Sequence, residues 1–307
     1  MANTYGKVSG TFEEVENAYG KVSGVWQEAD EIYAKNSGTW ELVFAAFTAG
    51  SVQTLSSGSG TFTVPDGANA IHIQASVGGG GGAMRGVDYD KAGGESAGAG
   101  GGSGAYVSDK VFTVTTGETI SYSVGSSGAN GTGTYSGSAG GGASTTISGS
   151  TTGSIFTLTG GGGASASGGG VQGPLRSNTA GTAGSNTISG SVITSGNFRD
   201  TDGATKSVTT LTSGPVGTFN QSGNGAVGGN NGNCGGDNCQ IGGSTGAASY
   251  SGNVSGGAGS PVGSSTNGSA GTRGSGGGGG GAQYGPGSTQ GGSGGTGEIQ
   301  YRFLRVN

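Results

Sequence analysis

Glycine recurs at every third position near the end of the chain. The positions are Gly268, Gly271, Gly274, Gly277 and Gly280. A polyproline II strand has three residues per turn, so this spacing leaves one edge of the strand without side chains and lets neighbouring strands touch along it. Such a strand makes no internal hydrogen bonds, and its N–H and C=O groups must therefore pair with neighbours. The spacing predicts a bundle of packed polyglycine II strands.

Shorter runs with the same spacing occur elsewhere, and the period is broken between them. They are Gly98, Gly101 and Gly104, then Gly125, Gly128 and Gly131, and finally Gly229, Gly232 and Gly235. The interruptions exclude collagen, which needs an unbroken G-X-Y repeat. With 79 glycines in 307 residues, composition alone favours a flexible linker. The spacing favours an ordered body, which is what we expect.

The chain is poor in both apolar and charged residues. Hydrophobic residues make up 30% of the sequence and charged residues 9%, and no Asp, Glu, Lys or Arg lies between Glu118 and Arg176. An apolar core can therefore serve only part of the chain. The glycine-rich middle must be ordered mostly by backbone hydrogen bonds and close contact.

Charge and hydropathy narrow the choice of partners. The net charge of −5 argues against nucleic acid, which is bound through clustered Lys and Arg. No run of 18 or more apolar residues is present, so we expect no membrane insertion. The N-terminus lacks the pattern of a signal peptide. If the protein acts outside a cell, we expect it to leave by another route, for example on a particle that is assembled in the cytoplasm and released by lysis.

Residues 3–47 contain a 14-residue repeat. The aligned positions are Tyr5, Tyr19 and Tyr33, then Lys7, Lys21 and Lys35, then Phe12, Trp26 and Trp40. Each unit predicts a hairpin with a two-residue Ser-Gly turn, in which glycine supplies a positive φ. That turn sets Lys7 opposite Phe12 and Lys21 opposite Trp26, which are favourable cross-strand pairs. We expect a small meander whose aromatic residues form either a packing stripe or a docking or sugar-binding face.

Further strand patterns precede and follow the glycine-rich middle. Apolar and polar residues alternate in residues 60–64, 70–77, 105–108, 111–114, 119–124 and 298–306. We expect the last strand to pair with the early ones and to close a β scaffold that carries the glycine body as an insertion. The predicted fold is mostly β, with a hairpin module in 1–47, a scaffold in 48–128 completed by 296–307, and a polyglycine II body with display loops in 129–295.

The residues that usually carry chemistry lack the necessary partners in the sequence. His72 is the single histidine and lies mid-strand, without the pattern of a triad or zinc site. Cys234 and Cys239 are either free thiols or a local disulfide. Asp200-Thr201-Asp202-Gly203 and Asp88-Tyr89-Asp90 lack the later ligands of a calcium loop, and no phosphate-binding glycine motif is present. We expect no enzyme activity, no metal and no cofactor.

Together these patterns resemble the glycine-rich domain of bacteriophage tail proteins. The resemblance rests on Phe62-Thr63-Val64-Pro65, the strand running into Gly78 to Gly82, the segment 115–125, the Gly160 to Gly163 run and the closing strand. It covers residues 52–163 and 275–306, and residues 164–274 match no family pattern. The hairpin repeats are similar to short repeats of phage tail components. Glycine-rich adhesins at the tips of long tail fibres, which this chain resembles in composition, use packed polyglycine II strands.

The resemblance implies a location in the virion tail, with other phage tail proteins and a bacterial surface receptor, protein or polysaccharide, as partners. Fibres are commonly homotrimers, whereas tip adhesins of this kind can be single chains. Aromatic and arginine residues are typical of recognition sites. The candidate receptor-binding residues are Tyr89, Tyr135, Arg176, Phe198, Arg199, Phe219, Tyr250 and Tyr284, and the candidate docking residues are Phe12, Trp26 and Trp40. The alternative for the first group is that they plug the edges of the bundle.

Three functions follow as hypotheses. The first is a receptor-binding adhesin, and the second is a purely structural tail or fibre component without receptor contact. The third is an ice-binding protein, since a rigid polyglycine II bundle has flat faces. Ice binding would require a regular row of Thr or Ala on one face, and the broken glycine period argues against it.

Overall fold

The structure is a computed structural model. It describes residues 5–8, 11–14, 19–28, 31–36, 38–45, 47–83, 95–132, 137–167, 177–212, 214, 216–225, 228, 233–234, 243–250, 254–261, 266–280 and 289–307.

The three hairpins predicted from the repeat are present. Their strands are β1 (Tyr5–Val8), β2 (Thr11–Glu14), β3 (Tyr19–Val22), β4 (Val25–Glu28), β5 (Glu31–Asn36) and β6 (Thr39–Ala45). Lysine lies opposite the aromatic position in all three, as in the pair Lys21 and Trp26. Ser23 and Gly24 have φ of 52° and 90°, as a type I′ turn requires. Each hairpin is a separate two-stranded sheet in the described residues, so the expected meander is not seen there.

The rest of the described chain contains one short 3₁₀ turn, Val208–Thr210, and further strands. These strands are β7 (Gln53–Leu55), β8 (Ser59–Thr63), β9 (Ala70–Val77), β10 (Glu95–Ser96), β11 (Tyr106–Thr113), β12 (Thr119–Ser123), β13 (Gly137–Ser138), β14 (Thr145–Gly149), β15 (Gly153–Leu158), β16 (Ser165–Ser167), β17 (Ser177–Thr179), β18 (Asn186–Ile188), β19 (Val192–Ile193), β20 (Asn197–Arg199), β21 (Thr205–Ser207), β22 (Gln221–Gly223), β23 (Asn233–Cys234) and β24 (Glu298–Leu304).

Two antiparallel sheets pack face to face as a β-sandwich. The first has the order β19-β11-β9-β24-β7, with β22 also paired to β11, and the second has the order β18-β15-β14-β12-β8. Their facing side chains form one apolar core, which includes Ile71, Ile73 and Phe112 from the first sheet and Ile120, Ile147 and Phe156 from the second. The closing strand β24 pairs with β9 and β7, as the sequence predicts.

A further layer covers the outer face of the first sheet. It consists of the described residues of 194–220, between β19 and β22, which we call the strap. Its side chains Phe198, Val208 and Leu211 pack with Val111 and Leu304 of the sheet in a second apolar cluster. The small hairpin formed by β20 and β21 and the 3₁₀ turn belong to this layer.

The glycine segments are direct continuations of the sandwich strands. Strands β9, β12, β15 and β22 run on into glycine segments, while β11, β14, β18 and β24 begin where glycine segments end. We call the end of the sandwich away from the glycine segments the base, and the far end of the glycine segments the tip. A six-residue polyglycine II segment is about 19 Å long and β9 about 26 Å, so base and tip lie about 45 Å apart.

Hydrogen bonds from one glycine segment show the predicted three-residue period. In residues 78–83, successive N–H groups donate to three different segments in turn, and the cycle then repeats, at N···O distances of 2.8–2.9 Å. The carbonyls of the same segment accept from three more. The six neighbours are 97–105, 139–143 and 289–297 as acceptors, and 125–131, 159–164 and 275–280 as donors. A strand that is surrounded by six hydrogen-bonded neighbours is packed hexagonally, as in polyglycine II.

Two kinds of segment result from this packing. The inner segments, 78–83, 97–105 and 275–280, adjoin one another, and their residues are buried. The outer segments surround them and comprise 125–131, 139–143, 159–164, 179–185, the described residues 225 and 228, 243–247, 255–260, 267–271 and 289–297. An inner segment turns every residue toward a neighbour and needs consecutive small residues, whereas an outer segment needs glycine only every third residue. This difference explains why the glycine period looks broken in the sequence.

The period at the end of the chain spans two strands, which corrects the single strand that its spacing predicted. Residues 268–271 lie in an outer segment and 275–280 in an inner one. Between them Arg273 and Gly274 have φ of 43° and 71°, and Ser275 N donates to Thr272 O at 2.9 Å. This turn happens to preserve the three-residue spacing.

Scaffold and glycine body alternate along the chain. The sequence assigned residues 129–295 to an inserted body, but β14, β15 and β18 lie within that range and form most of the second sheet. The sequence also suggested separate strands at 105–108 and 111–114, which are one strand, β11, passing through Asp109 at φ 49°. In the part of the chain that the structure describes, no helix has the length and apolar character needed to cross a membrane.

Replacing Gly81 with Ala tests the inner packing. A methyl group at Gly81 would overlap the carbonyl of Gly162, so Gly81→Ala should lower the free energy of unfolding by about 1–3 kcal/mol. At Gly141, which is exposed on an outer segment, the nearest atom to an added methyl is 3.5 Å away, and Gly141→Ala should change stability by about 0.5 kcal/mol or less. Denaturant unfolding of both variants measures this, and equal effects would contradict the inner and outer assignment.

Candidate functional site

A network of charged side chains lies between the first sheet and the strap. His72 on β9 faces Arg302 on β24, and the Arg302 Nε donates to His72 Nδ1 at 3.4 Å. The other ring nitrogen, Nε2, lies 3.3 Å from Asp109 Oδ1. Because Nδ1 accepts a hydrogen bond, Nε2 carries the proton and donates to Asp109. His72 and Asp109 are both fully buried.

This geometry keeps the imidazole neutral. Burial lowers the pKa of His72, the hydrogen bond that His72 donates to Asp109 opposes that shift, and the charge of Arg302 adds to it. Asp109 also accepts from the backbone N–H of Gly214 in the strap, at 3.1 and 2.9 Å to its two oxygens. The pair therefore fixes the strap to the sheet.

A histidine hydrogen-bonded to an aspartate also occurs in catalytic triads, in which the other ring nitrogen faces a nucleophile. Here that nitrogen faces Arg302, and the nearby Ser108 hydroxyl lies 3.4 Å from Asp109 instead. Neither His72 nor Asp109 is accessible to a substrate. We interpret the pair as structural.

Asp200 in the strap joins the same network. It accepts from Arg302 Nη1 at 2.5 Å and from Lys206 Nζ at 2.6 Å, and Arg302 also lies 5.5 Å from the centroid of the Phe198 ring. Burial would raise the pKa of Asp200, but hydrogen bonds from Lys206 and Thr201 and the charge of Arg302 lower it to about 2.

The same contacts show whether Asp200 and Asp202 are free to bind calcium. Lys206 Nζ also lies 3.1 Å from Asp202, so a protein cation occupies the position between the two carboxylates. Within the described residues, no group of three or more His, Cys, Asp or Glu side chains could hold a metal ion. The second calcium-like sequence, residues 88–90, lies outside the described residues. Cys239, the possible disulfide partner of Cys234, also lies outside them.

The tip offers a second cluster, made of uncharged polar side chains. Asn130, Asn267 and Gln290 come from three outer segments that lie side by side. Asn130 Nδ2 donates to Gln290 Oε1 at 3.2 Å, and the Gln290 backbone N–H donates to Asn267 Oδ1 at 2.9 Å. Asn267 and Gln290 are exposed and Asn130 is half-buried. We call these three residues the amide cluster.

The amide cluster matches no sequence motif, because its members are more than 20 residues apart along the chain. The available signal was the three-residue period: Asn130 precedes Gly131, and Asn267 precedes Gly268. In an outer segment the two residues between periodic glycines can carry side chains at the surface, as the exposed Asn267 and Ser269 on either side of Gly268 do. Which outer segments adjoin one another is not encoded in that period.

Four of the predicted receptor-binding residues, Tyr89, Tyr135, Arg176 and Tyr284, lie outside the described residues. The flanking described residues are at the tip. For example, Ala83 pairs with Gly131 and Gly292 at the far end of the bundle, and the chain passes from Ala83 to the undescribed residues 84–94.

The other four lie away from the tip, which corrects their assignment to the display loops. Phe198, Arg199 and Phe219 belong to the strap, because that part of the chain returns to pair with β11 and the sheet. Tyr250 lies where bundle and sandwich meet, packed with Val77 and Tyr106. Phe198 and Tyr250 are 2% and 1% exposed. Buried side chains cannot contact a receptor, so these two leave the candidate surface. Tyr250 fits the alternative of plugging the edge of the bundle, whereas Phe198 packs between the strap and the first sheet.

Phe12, Trp26 and Trp40 lie on the returning strands of the three hairpins, opposite their lysines. Their role in docking stays a prediction. The chain leaves the hairpins at the base, where Ala49 N donates to Arg199 O at 2.8 Å and Phe47 packs against the sandwich core.

Comparison with known families fits this architecture. A family model described as a glycine-rich domain matches residues 54–304. The chain belongs to the glycine-rich domain family. The match begins after the hairpins, spans sandwich and bundle, and includes the middle stretch that resembled no family in the sequence analysis. No curated protein matches the chain.

The single histidine of this glycine-rich domain allows a clean test of the buried network. Because burial holds the pKa of His72 below its ordinary value of 6.5, the unfolded chain takes up a proton below that pH before the folded chain does. Stability should therefore fall as the pH drops from 6.5 towards 5, by at most about 1.4 kcal/mol per pH unit.

His72→Gln should remove most of that slope, since glutamine can accept from Arg302 and donate to Asp109 without titrating. Asp200 does not contribute in this window, because a lowered carboxyl pKa costs stability only as the pH falls from about 3.8 towards 2. Denaturant unfolding at several pH values measures both slopes. The same slope in both proteins would contradict the neutral, buried histidine.

Proposed function

We propose that this protein is a phage virion tail protein, and a receptor-binding adhesin that contacts the host cell through the tip of its glycine bundle. The observation that supports the proposal most is the axial arrangement of the chain. Residues 47–50 connect the hairpins to the base, whereas the segments between residues 83 and 95, 132 and 137, 167 and 177, 261 and 266, and 280 and 289 leave and re-enter the bundle at the tip.

The bundle suits this function because it is rigid without a large apolar core. Its segments are joined in three directions by backbone hydrogen bonds, so sequence changes at the tip need not disturb the packing below. The candidate residues Tyr89, Tyr135, Arg176 and Tyr284 all belong to segments that begin and end at the tip. In this proposal the hairpin module attaches the protein to other tail proteins, and Phe12, Trp26 and Trp40 are its docking residues.

Ice binding, the third hypothesis from the sequence, has one specific observation in its favour. Thr179, Thr182 and Ser185 are exposed at three-residue spacing on one outer segment, about 9 Å apart along a polyglycine II strand. The outward rows of other segments mix Asn, Gln, Ser and Ala and give a less regular surface. Thermal hysteresis of the purified protein decides this alternative.

Binding of the labelled protein to host bacteria tests the adhesin proposal. Replacing Tyr89, Tyr135 and Tyr284 together with Ala should weaken saturable binding about 10-fold or more, since aromatic residues dominate recognition sites. Point variants are preferable to deleting 164–274, because that deletion would remove β18 and several outer segments.

The matched control replaces Thr179, Thr182 and Ser185, which are exposed on the side of the bundle, with Ala. It should bind like the unmodified protein, and thermal unfolding should show that both variants fold. Absence of saturable binding by the intact, folded protein would favour a purely structural tail component.

A further inference from the structure

We infer that the amide cluster is a binding site for an uncharged polysaccharide of the host surface. This inference rests on the proposed function and specifies the ligand for one side of the tip. It depends on three observations: the convergence of the amides at the tip, the flatness of the face that carries them, and the lack of charge around them.

The convergence brings together distant parts of the sequence. Segments 125–131, 289–297 and 267–271 lie in that order along one side of the bundle, as the bonds from Gly294 N to Gly128 O and from Gly271 N to Ser293 O show, both at 2.9 Å. Each contributes one amide at the same height. Three residues further from the tip on the same segments the corresponding residues are small: Ser127 and Ser293 are half-buried and Ala270 is exposed. Large polar side chains are therefore concentrated at the tip end.

Hexagonal packing makes this face flat. The segments 125–131 and 267–271 adjoin 289–297 from opposite sides, and two different inner segments, 78–83 and 275–280, lie behind them. Three neighbouring strands that rest on two inner strands in this way lie in one plane. A flat face with short side chains suits an extended chain lying across it.

The chemistry of the cluster favours hydroxyl groups as partners. An amide side chain presents both a donor and an acceptor, and a sugar hydroxyl can satisfy both. Within the cluster, Gln290 Oε1 accepts from Asn130 and Asn267 Oδ1 accepts from the Gln290 backbone N–H. These two hydrogen bonds orient the Gln290 and Asn267 side chains. Both Gln290 and Asn267 are exposed.

The described residues around the cluster are uncharged, which favours a neutral ligand over an acidic or basic one at this site. Residues 127–132, 266–270 and 289–293 contain no Asp, Glu, Lys or Arg. The charges described on this side of the bundle, Arg273 and Glu298, lie at its sandwich end and pair with each other at 3.4 Å. The amide cluster therefore offers a ligand hydrogen bonds from uncharged side chains.

The test measures binding to host bacteria that have been treated with periodate, which cleaves vicinal diols of sugars, or with proteinase K. Periodate should abolish binding and proteinase K should leave it. The variant Asn267→Ala with Gln290→Ala should bind untreated cells at least 10-fold more weakly. Gln290→Glu keeps the acceptor for Asn130 but removes the donor and adds a charge, so it should weaken binding without disturbing the fold.

The control variant Thr182→Ala with Ser185→Ala, on another side of the bundle, should bind within 2-fold of the unmodified protein. Loss of binding on protease treatment alone would overturn the polysaccharide assignment while leaving the adhesin proposal intact. Unchanged binding by both amide variants would overturn the site. No binding of the intact protein to untreated cells would remove the proposed function, and this inference with it.

Discussion

Backbone hydrogen bonding between polyglycine II segments is the interaction on which the glycine bundle depends. The inner segment 78–83 is bonded to six neighbours, so its order does not require apolar side chains. The cost is conformational entropy, since glycine loses about 0.5–1 kcal/mol more than Ala when it is ordered. Such a body is stable only if something reduces the number of ways its segments can assemble.

The sandwich does this by fixing segment ends. Its strands are held in register by an apolar core, and eight of them continue directly into or out of glycine segments. Each such segment starts from a defined position and direction. The alternation of strand and glycine segment along the chain is thus the reason why two very different kinds of packing form one continuous structure.

The parts of the fold that follow from local patterns could be predicted from the sequence. The three-residue glycine spacing, the alternating strands and the Ser-Gly turns each report on neighbours along the chain. What could not be predicted is which segments adjoin. Arg273 and Gly274 turn the chain without changing the glycine period, and residues 194–220 fall in the range assigned to the glycine body but return to cover the sheet. The tip site shows the same limit, because Asn130, Asn267 and Gln290 meet only through the hexagonal order of the segments.

The two kinds of packing also differ in what they let the surface do. An inner segment accepts only very small residues, as the overlap of a methyl group at Gly81 with Gly162 shows. On an outer segment two of every three positions face outward or lie beside a neighbour's edge, and they carry Asn, Thr, Ser or Gln without loss of backbone pairing. Within one outer strand, the periodic glycines therefore provide the packing, and the residues between them determine the surface chemistry. A protein that must keep its shape while its contact surface changes would benefit from that separation.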